Sequence, residues 1–165
     1  MRRLLALITV VAVLAPTLPV AAAEWGDIRP GISTTANVRA QYGAPSKSSK
    51  QKVENYDTET WIYEGPQAPA GLNRLTVEFG LVQSDKYQAN VVRDFRIEPL
   101  PGGFTRTIVN LGWGQPDRMG RDGETDVFVY LEGLIVYFDD TGQNAKLMLF
   151  TVPQPRDPAD EPPRR

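Results

Sequence analysis

Two short stretches of the chain carry apolar residues at helical spacing. Val38 and Tyr42 are four residues apart, and Val109 and Trp113 repeat that spacing. Residues four apart lie on one face of an α-helix, so each pair can bury a single apolar stripe. The pattern therefore predicts two short amphipathic helices of about two turns each.

Each predicted helix has its own start and stop signals. Thr34 and Thr105 precede the apolar pairs, and a threonine oxygen can accept a hydrogen bond from a free amide of the first helical turn. Ser33 is an equally suitable N-cap candidate for the first helix. Gly43 and Gly114 follow the pairs, where a residue in the left-handed conformation commonly ends a helix. A proline two positions after each glycine prevents the helix from continuing.

Six further segments have strand character, because β-branched and aromatic residues are concentrated in them and turn residues separate them. They cover residues 58–64, 74–79, 90–97, 125–131, 134–138 and 145–152. Short consecutive strands with short connections favour antiparallel pairing. Lys47, Lys50 and Lys52 precede the first of them and are followed by acidic residues, which favours a solvated loop.

The two sets of elements match each other in sequence. Residues 30–45 align without gaps on residues 101–116, and the later aromatic and aliphatic runs match at shorter offsets. Offsets that shrink only between elements indicate a repeated supersecondary unit with shortened loops. We therefore expect an α+β fold of two tandem repeats, residues 24–99 and 100–153, each a short helix packed on a three-stranded antiparallel sheet.

The two ends of the chain differ from the region between them. Residues 1–23 combine Arg2 and Arg3, an apolar run and a small-residue site at residues 21–23, which is typical of a secretory signal. We expect cleavage before Glu24 and a periplasmic or secreted product. Residues 154–165 are rich in proline and acidic residues, so we expect a disordered tail.

Composition narrows the possible functions. The chain has no histidine and no cysteine, so it lacks the usual general base near neutral pH, the thiol nucleophile, the principal zinc ligands and a lipidation cysteine. Its net charge is −2, which argues against a nucleic-acid partner. We expect no enzymatic activity, catalytic residue, cofactor, metal or lipid anchor, and at most a peripheral contact with a membrane.

The motif Gly103-Phe104-Thr105, then Val109, then Gly114-Gln115-Pro116 resembles the BamE (SmpA/OmlA) family of outer-membrane assembly proteins. Trp61-Ile62-Tyr63 is similar to a Trp-x-Tyr strand of that family. Two such units in one chain resemble the tandem architecture of the beta-lactamase inhibitor protein. The resemblance implies a non-enzymatic protein-binding module that acts in envelope assembly or as an inhibitor-like scaffold.

The last two predicted strands are apolar on both faces. Within residues 134–138, Ile135 and Tyr137 alternate with apolar residues that face the helix. Within residues 145–152, Leu147 and Leu149 alternate with apolar residues in the same way. These four outward residues are either buried against the first repeat or the tail, or they form a partner-binding face. We expect them to bind a protein of the envelope or outer-membrane assembly machinery. The alternative is a periplasmic carrier that holds an apolar ligand or lipid on the second sheet.

Overall fold

The computed structural model describes residues 23–155. The predicted signal before Ala23 and most of the predicted tail, from residue 156 onward, lie outside the described residues. Within the described part, no helix is long and apolar enough to cross a membrane.

Residues 23–155 form two α-helices and eight β-strands, with one 3₁₀ turn at Gly65–Gln67. In each half of the chain, one helix is followed by four strands. The elements of the first half are α1 (Thr35–Tyr42), β1 (Lys47–Val53), β2 (Tyr56–Glu64), β3 (Leu72–Gln83) and β4 (Lys86–Pro99). Those of the second half are α2 (Arg106–Trp113), β5 (Arg118–Asp122), β6 (Thr125–Tyr130), β7 (Leu134–Phe138) and β8 (Ala145–Thr151).

All eight strands belong to one antiparallel sheet, in the order β1-β2-β3-β4-β8-β7-β6-β5. The two halves meet where β4 pairs with β8, with Phe95 opposite Phe150. The expected fold of two tandem repeats, each a helix on its own three-stranded sheet, is therefore wrong. The BamE-like architecture inferred with it is also wrong, because the strands of residues 23–155 form a single sheet instead of two repeat sheets.

The miscounted strands are the two edges of the sheet. Every residue of β1 and β5 is exposed, and both strands are rich in charged residues. Lysines on an edge strand discourage pairing with other chains, which explains why Lys47, Lys50 and Lys52 occupy a strand instead of the expected loop. An edge strand that buries no side chain lacks the alternation by which strands are recognised in a sequence.

The predicted helix boundaries are confirmed. Thr34 and Thr105 are the N-cap residues, and the Thr105 hydroxyl accepts a hydrogen bond from the Ile108 amide over 3.3 Å. Gly43 and Gly114 follow the helices with φ of 75° and 78°, a range that favours glycine.

One core joins the halves beneath both helices. Val38 of α1 and Val109 of α2 are fully buried in the same cluster as Phe95 and Phe150. The Phe95 and Phe150 rings stack with centroids 4.5 Å apart and planes inclined by 7°. Trp113 packs on this cluster, with its ring centroid 6.0 Å from that of Phe150. The junction between β4 and β8 therefore lies within the apolar core of the protein.

Candidate functional site

The sheet has a second face, opposite the one that both helices cover, and we call it the open face. Paired residues of an antiparallel sheet lie on the same face, so the strand registers trace one row of side chains across all eight strands. From edge to edge this row is Lys47, Ile62, Thr76, Arg96, Leu149, Ile135, Val129 and Arg118. The row is mainly polar in the first half and mainly apolar in the second.

Ion pairs cover the first half of the open face. Glu64 accepts from Lys47 over 2.5 Å and pairs with Arg74 over 3.0 Å. Arg74 also contacts Glu98 over 3.2 Å, so the network crosses β1 to β4. Hydrogen bonds from Lys47 and then Arg74 hold the pKa of the Glu64 carboxyl below its ordinary value. These four charged side chains therefore have ion-pair partners within the chain.

A second ion-pair cluster lies closer to the junction of the halves. The carboxylate of Glu78 pairs with Arg93 and with Arg96, each over 2.5 Å, and Arg93 also contacts Asp94 over 2.9 Å. The Glu78 side chain is only 13% exposed, so this pairing compensates a largely desolvated charge. The cluster marks the polar boundary of the second half.

The second half of the open face carries the four residues that the sequence singled out. Ile135 is paired with Leu149, and Tyr137 is paired with Leu147, so the structure brings all four together on β7 and β8. Each of them is half-buried, whereas the residues between them are buried in the core. Their role in binding a partner stays a prediction.

Two residues of the same surface escaped the sequence analysis. Val127 is paired with Tyr137, and Val129 is paired with Ile135, so both extend the surface onto β6. The signal was present in the sequence, because β6 is apolar at both alternating positions from Val127 to Tyr130. We call the six residues the apolar patch: Val127, Val129, Ile135, Tyr137, Leu147 and Leu149.

Two shallow grooves lie over the patch. One has a volume of about 400 Å³, and its lining joins Tyr137, Leu147 and Leu149 to the polar residues Asp94 and Arg96. The other has a volume of about 370 Å³ and runs between the edge strand β5 and the apolar side chains of β6 and β7. The grooves meet at Tyr137, which lines both.

The chemistry available at the patch is non-covalent. Alkyl and phenol side chains can bury apolar surface, and the Tyr137 hydroxyl can donate or accept a hydrogen bond. Across residues 23–155, no group of three acidic side chains is placed to hold a metal ion. The expectations of no enzymatic activity, no metal and no cofactor remain predictions. The arrangement is suited to recognition of another molecule.

Comparison with known proteins identifies no family for this chain. No family model matches the chain, the BamE family included, and no curated protein matches it. Among solved structures, a DUF4309 family protein (YjgB) from Bacillus subtilis is similar, with a TM-score of 0.47 and 16% sequence identity. The match covers 76% of this chain and 82% of that one. At this level, the likeness assigns neither a family nor a function.

Proposed function

We propose that the chain is a non-enzymatic protein-binding module that engages its partner through the apolar patch. The observation that carries the proposal is that a single row of paired side chains changes from mainly polar in the first half to mainly apolar in the second. Thr76 and Arg96 occupy the row in the first half, and Leu149 and Ile135 continue it in the second. The core does not require this change, because both halves bury their helix-facing residues in the same cluster.

The surroundings of the patch favour a protein as the occupant. A protein interface typically has an apolar centre with a polar rim. Here Asp94 and Arg96 border the patch along β4, and Thr151 lines the same groove. Tyr137 lies where the two grooves meet, and tyrosine is enriched among the residues that dominate binding energy.

The location and the class of partner stay predictions. A periplasmic or secreted location depends on the predicted signal in residues 1–23, which lies almost wholly outside the described part. A role in envelope assembly, or as an inhibitor-like scaffold, was implied by the resemblance that the sheet topology overturned. We therefore propose protein binding by this face and leave the partner's class to the experiment.

A matched pair of isoleucines provides the test. Ile135 and Ile62 occupy the same row, and both are half-buried, but Ile135 lies in the apolar patch and Ile62 lies among the ion pairs. A photoreactive amino acid is placed at either position in the full chain, and cells that export the protein are irradiated. We expect a discrete protein adduct from position 135 and none from position 62.

The remaining outcomes contradict the proposal. Equal labelling at positions 62 and 135 would indicate random collisions with the sheet. Lipid adducts at position 135 without a protein adduct would favour the alternative function, a carrier of an apolar ligand. Mass spectrometry of the adducts separates these results.

A further inference from the structure

The edge strand β5 can accept a further strand on its outer side. Within residues 23–155 it is the last strand of the sheet, and all five of its residues are exposed. A two-residue turn connects Asp122 to Thr125, so these two residues form a hydrogen-bonded pair, and such pairs recur at every second residue. Gly120 therefore bonds to β6, whereas the backbone amide and carbonyl groups of Met119 and Arg121 point away from the sheet.

The two edge strands of the sheet differ in charge. β1 contains Lys47, Lys50 and Lys52 and no acidic residue, so pairing of two β1 strands would bring like charges together. β5 contains charges of both signs, and its Arg121 already pairs with Asp126 over 3.0 Å. Of the two edges, β5 is therefore the one suited to pairing with an identical strand.

We propose that two copies of the chain pair antiparallel through β5, with Gly120 at the two-fold axis. In this register, Met119 of each copy lies opposite Arg121 of the other, so the outward amide and carbonyl groups of both residues are hydrogen-bonded. Arg118 lies opposite Asp122, which places opposite charges on facing residues. The strand is thus complementary to itself. Because the interface is short, the association is weak and depends on concentration.

Gly120 is suited to the position at the axis. In the described part of the chain, apart from its two neighbours in sequence, no atom lies within 4 Å of the position that a Cβ atom would take on Gly120. The two facing glycines form a non-hydrogen-bonded pair, whose Cα atoms approach to about 4.5 Å. No side chain lies between the two copies at this point.

Pairing through β5 also joins the binding surfaces of the two copies. Gly120 belongs to the row of the open face that contains Val127, Tyr137 and Leu147 of the apolar patch. The two Val127 residues are then three strand spacings apart, which is about 14 Å. The dimer therefore presents two apolar patches as one strip. Its formation goes beyond the proposed function, because the two copies pair whether or not a partner binds to the patch.

The first test uses a single introduced cysteine, because the chain has none of its own. Gly120→Cys places two thiols at the axis, and a Cα separation of about 4.5 Å is within the range of a disulfide. Gln51→Cys is the matched control, since Gln51 and Gly120 each lie two residues before the turn of an edge hairpin. Pairing about Gln51 would place Lys50 opposite Lys52.

Both cysteine variants are purified in reduced form and incubated with oxidised glutathione, which is reduced as two protein thiols form a disulfide. We expect Gly120→Cys to become a disulfide-linked dimer and Gln51→Cys to stay largely monomeric on a non-reducing gel. Equal dimer formation by the two variants would indicate random collisions. That result, or the absence of a dimer from Gly120→Cys, would overturn the proposal.

The second test measures association without a cysteine. As the concentration of the natural chain rises to about 1 mM, we expect its mass in sedimentation experiments to approach twice that of the monomer. Met119→Pro removes an outward amide that β6 does not use, a change that an edge strand tolerates, and this variant should stay monomeric. Lys50→Pro makes the same change on β1 and should dimerise as the natural chain does. A natural chain that stays monomeric, or a folded Met119→Pro variant that dimerises equally well, would overturn the proposal.

Discussion

Arg96 and Leu149 are paired across the junction of β4 and β8, and the open face of the sheet changes character between them. On the side of Arg96, the next partner is Thr76, and an ion-pair cluster centres on Glu78. On the side of Leu149, the next partners are Ile135 and Val129. A continuous sheet thus presents one polar half and one apolar half on the same face.

The junction itself should be essential for stability. Phe150 is fully buried, stacks on Phe95 and touches Trp113, so Phe150→Ala leaves a cavity where the two halves meet. We expect the free energy of unfolding to fall by about 3 to 5 kcal/mol, as measured by chemical denaturation. Because the halves share one core, both should unfold in a single transition. Two separate transitions would contradict a shared core.

A buried tyrosine should stabilise the end of each helix. The Tyr63 hydroxyl donates to the Gly43 oxygen over 3.2 Å, and Tyr130 makes the same contact with Gly114. Tyr63→Phe keeps the ring and removes this bond, so we expect a loss of about 1 kcal/mol in urea denaturation. Tyr56→Phe is the control, since Tyr56 is 42% exposed, and it should change stability far less.

Stability should also decline at alkaline pH. Burial raises the pKa of Tyr42, Tyr63 and Tyr130 from 10.0 to about 12. A pKa raised by folding means that the folded state favours the neutral phenol, so this contribution is complete below pH 10 and is lost as the pH rises toward 12. We expect the absorbance titration of the folded protein to show late ionisation of these tyrosines. Ionisation of all tyrosines near pH 10 without unfolding would refute it.

The turn after β7 should respond to acid. Hydrogen bonds from Thr141 and then Asn144 hold the pKa of the Asp139 carboxyl below its ordinary value of 3.8. Because folding lowers this pKa, the stabilisation is complete above the ordinary value of 3.8 and is lost as the pH falls from there toward the lowered pKa of the folded state. We expect Asp139→Asn to be less stable than the natural chain at neutral pH, with the difference narrowing in acid. Denaturation curves between about pH 2 and pH 7 measure this difference, and a constant gap would contradict it.

Signals that act over a few residues predicted the local structure well. Thr105 and Gly114 identified the bounds of α2, because cap chemistry is contained in adjacent residues. The alternation of Ile135 and Tyr137 likewise identified their shared face. Val127 and Val129 were missed, although they carry the same kind of signal one strand earlier.

Features that depend on distant or exposed residues could not be predicted in the same way. The pairing of Phe95 with Phe150 joins residues far apart in the chain, and nothing local specifies which strands meet. The edge strands bury no side chain, so Lys50 in β1 gives no sign of its strand. The hydrogen bond from the Ala23 amide to the Glu132 backbone oxygen is likewise a long-range contact, and the sequence around Ala23 gives no sign of it.

The most direct test of the binding face is the affinity of the Tyr137→Ala variant for the protein crosslinked at position 135. Because tyrosine at the centre of an interface commonly contributes about 2 kcal/mol, we expect Kd to rise roughly thirtyfold. The melting temperature should be nearly unchanged, since Tyr137 faces away from the core and its strand pairing is retained. Thr76→Ala, on the polar half of the same face, should bind as the natural chain does. An unchanged Kd for Tyr137→Ala, with or without a lower melting temperature, would contradict binding through the apolar patch.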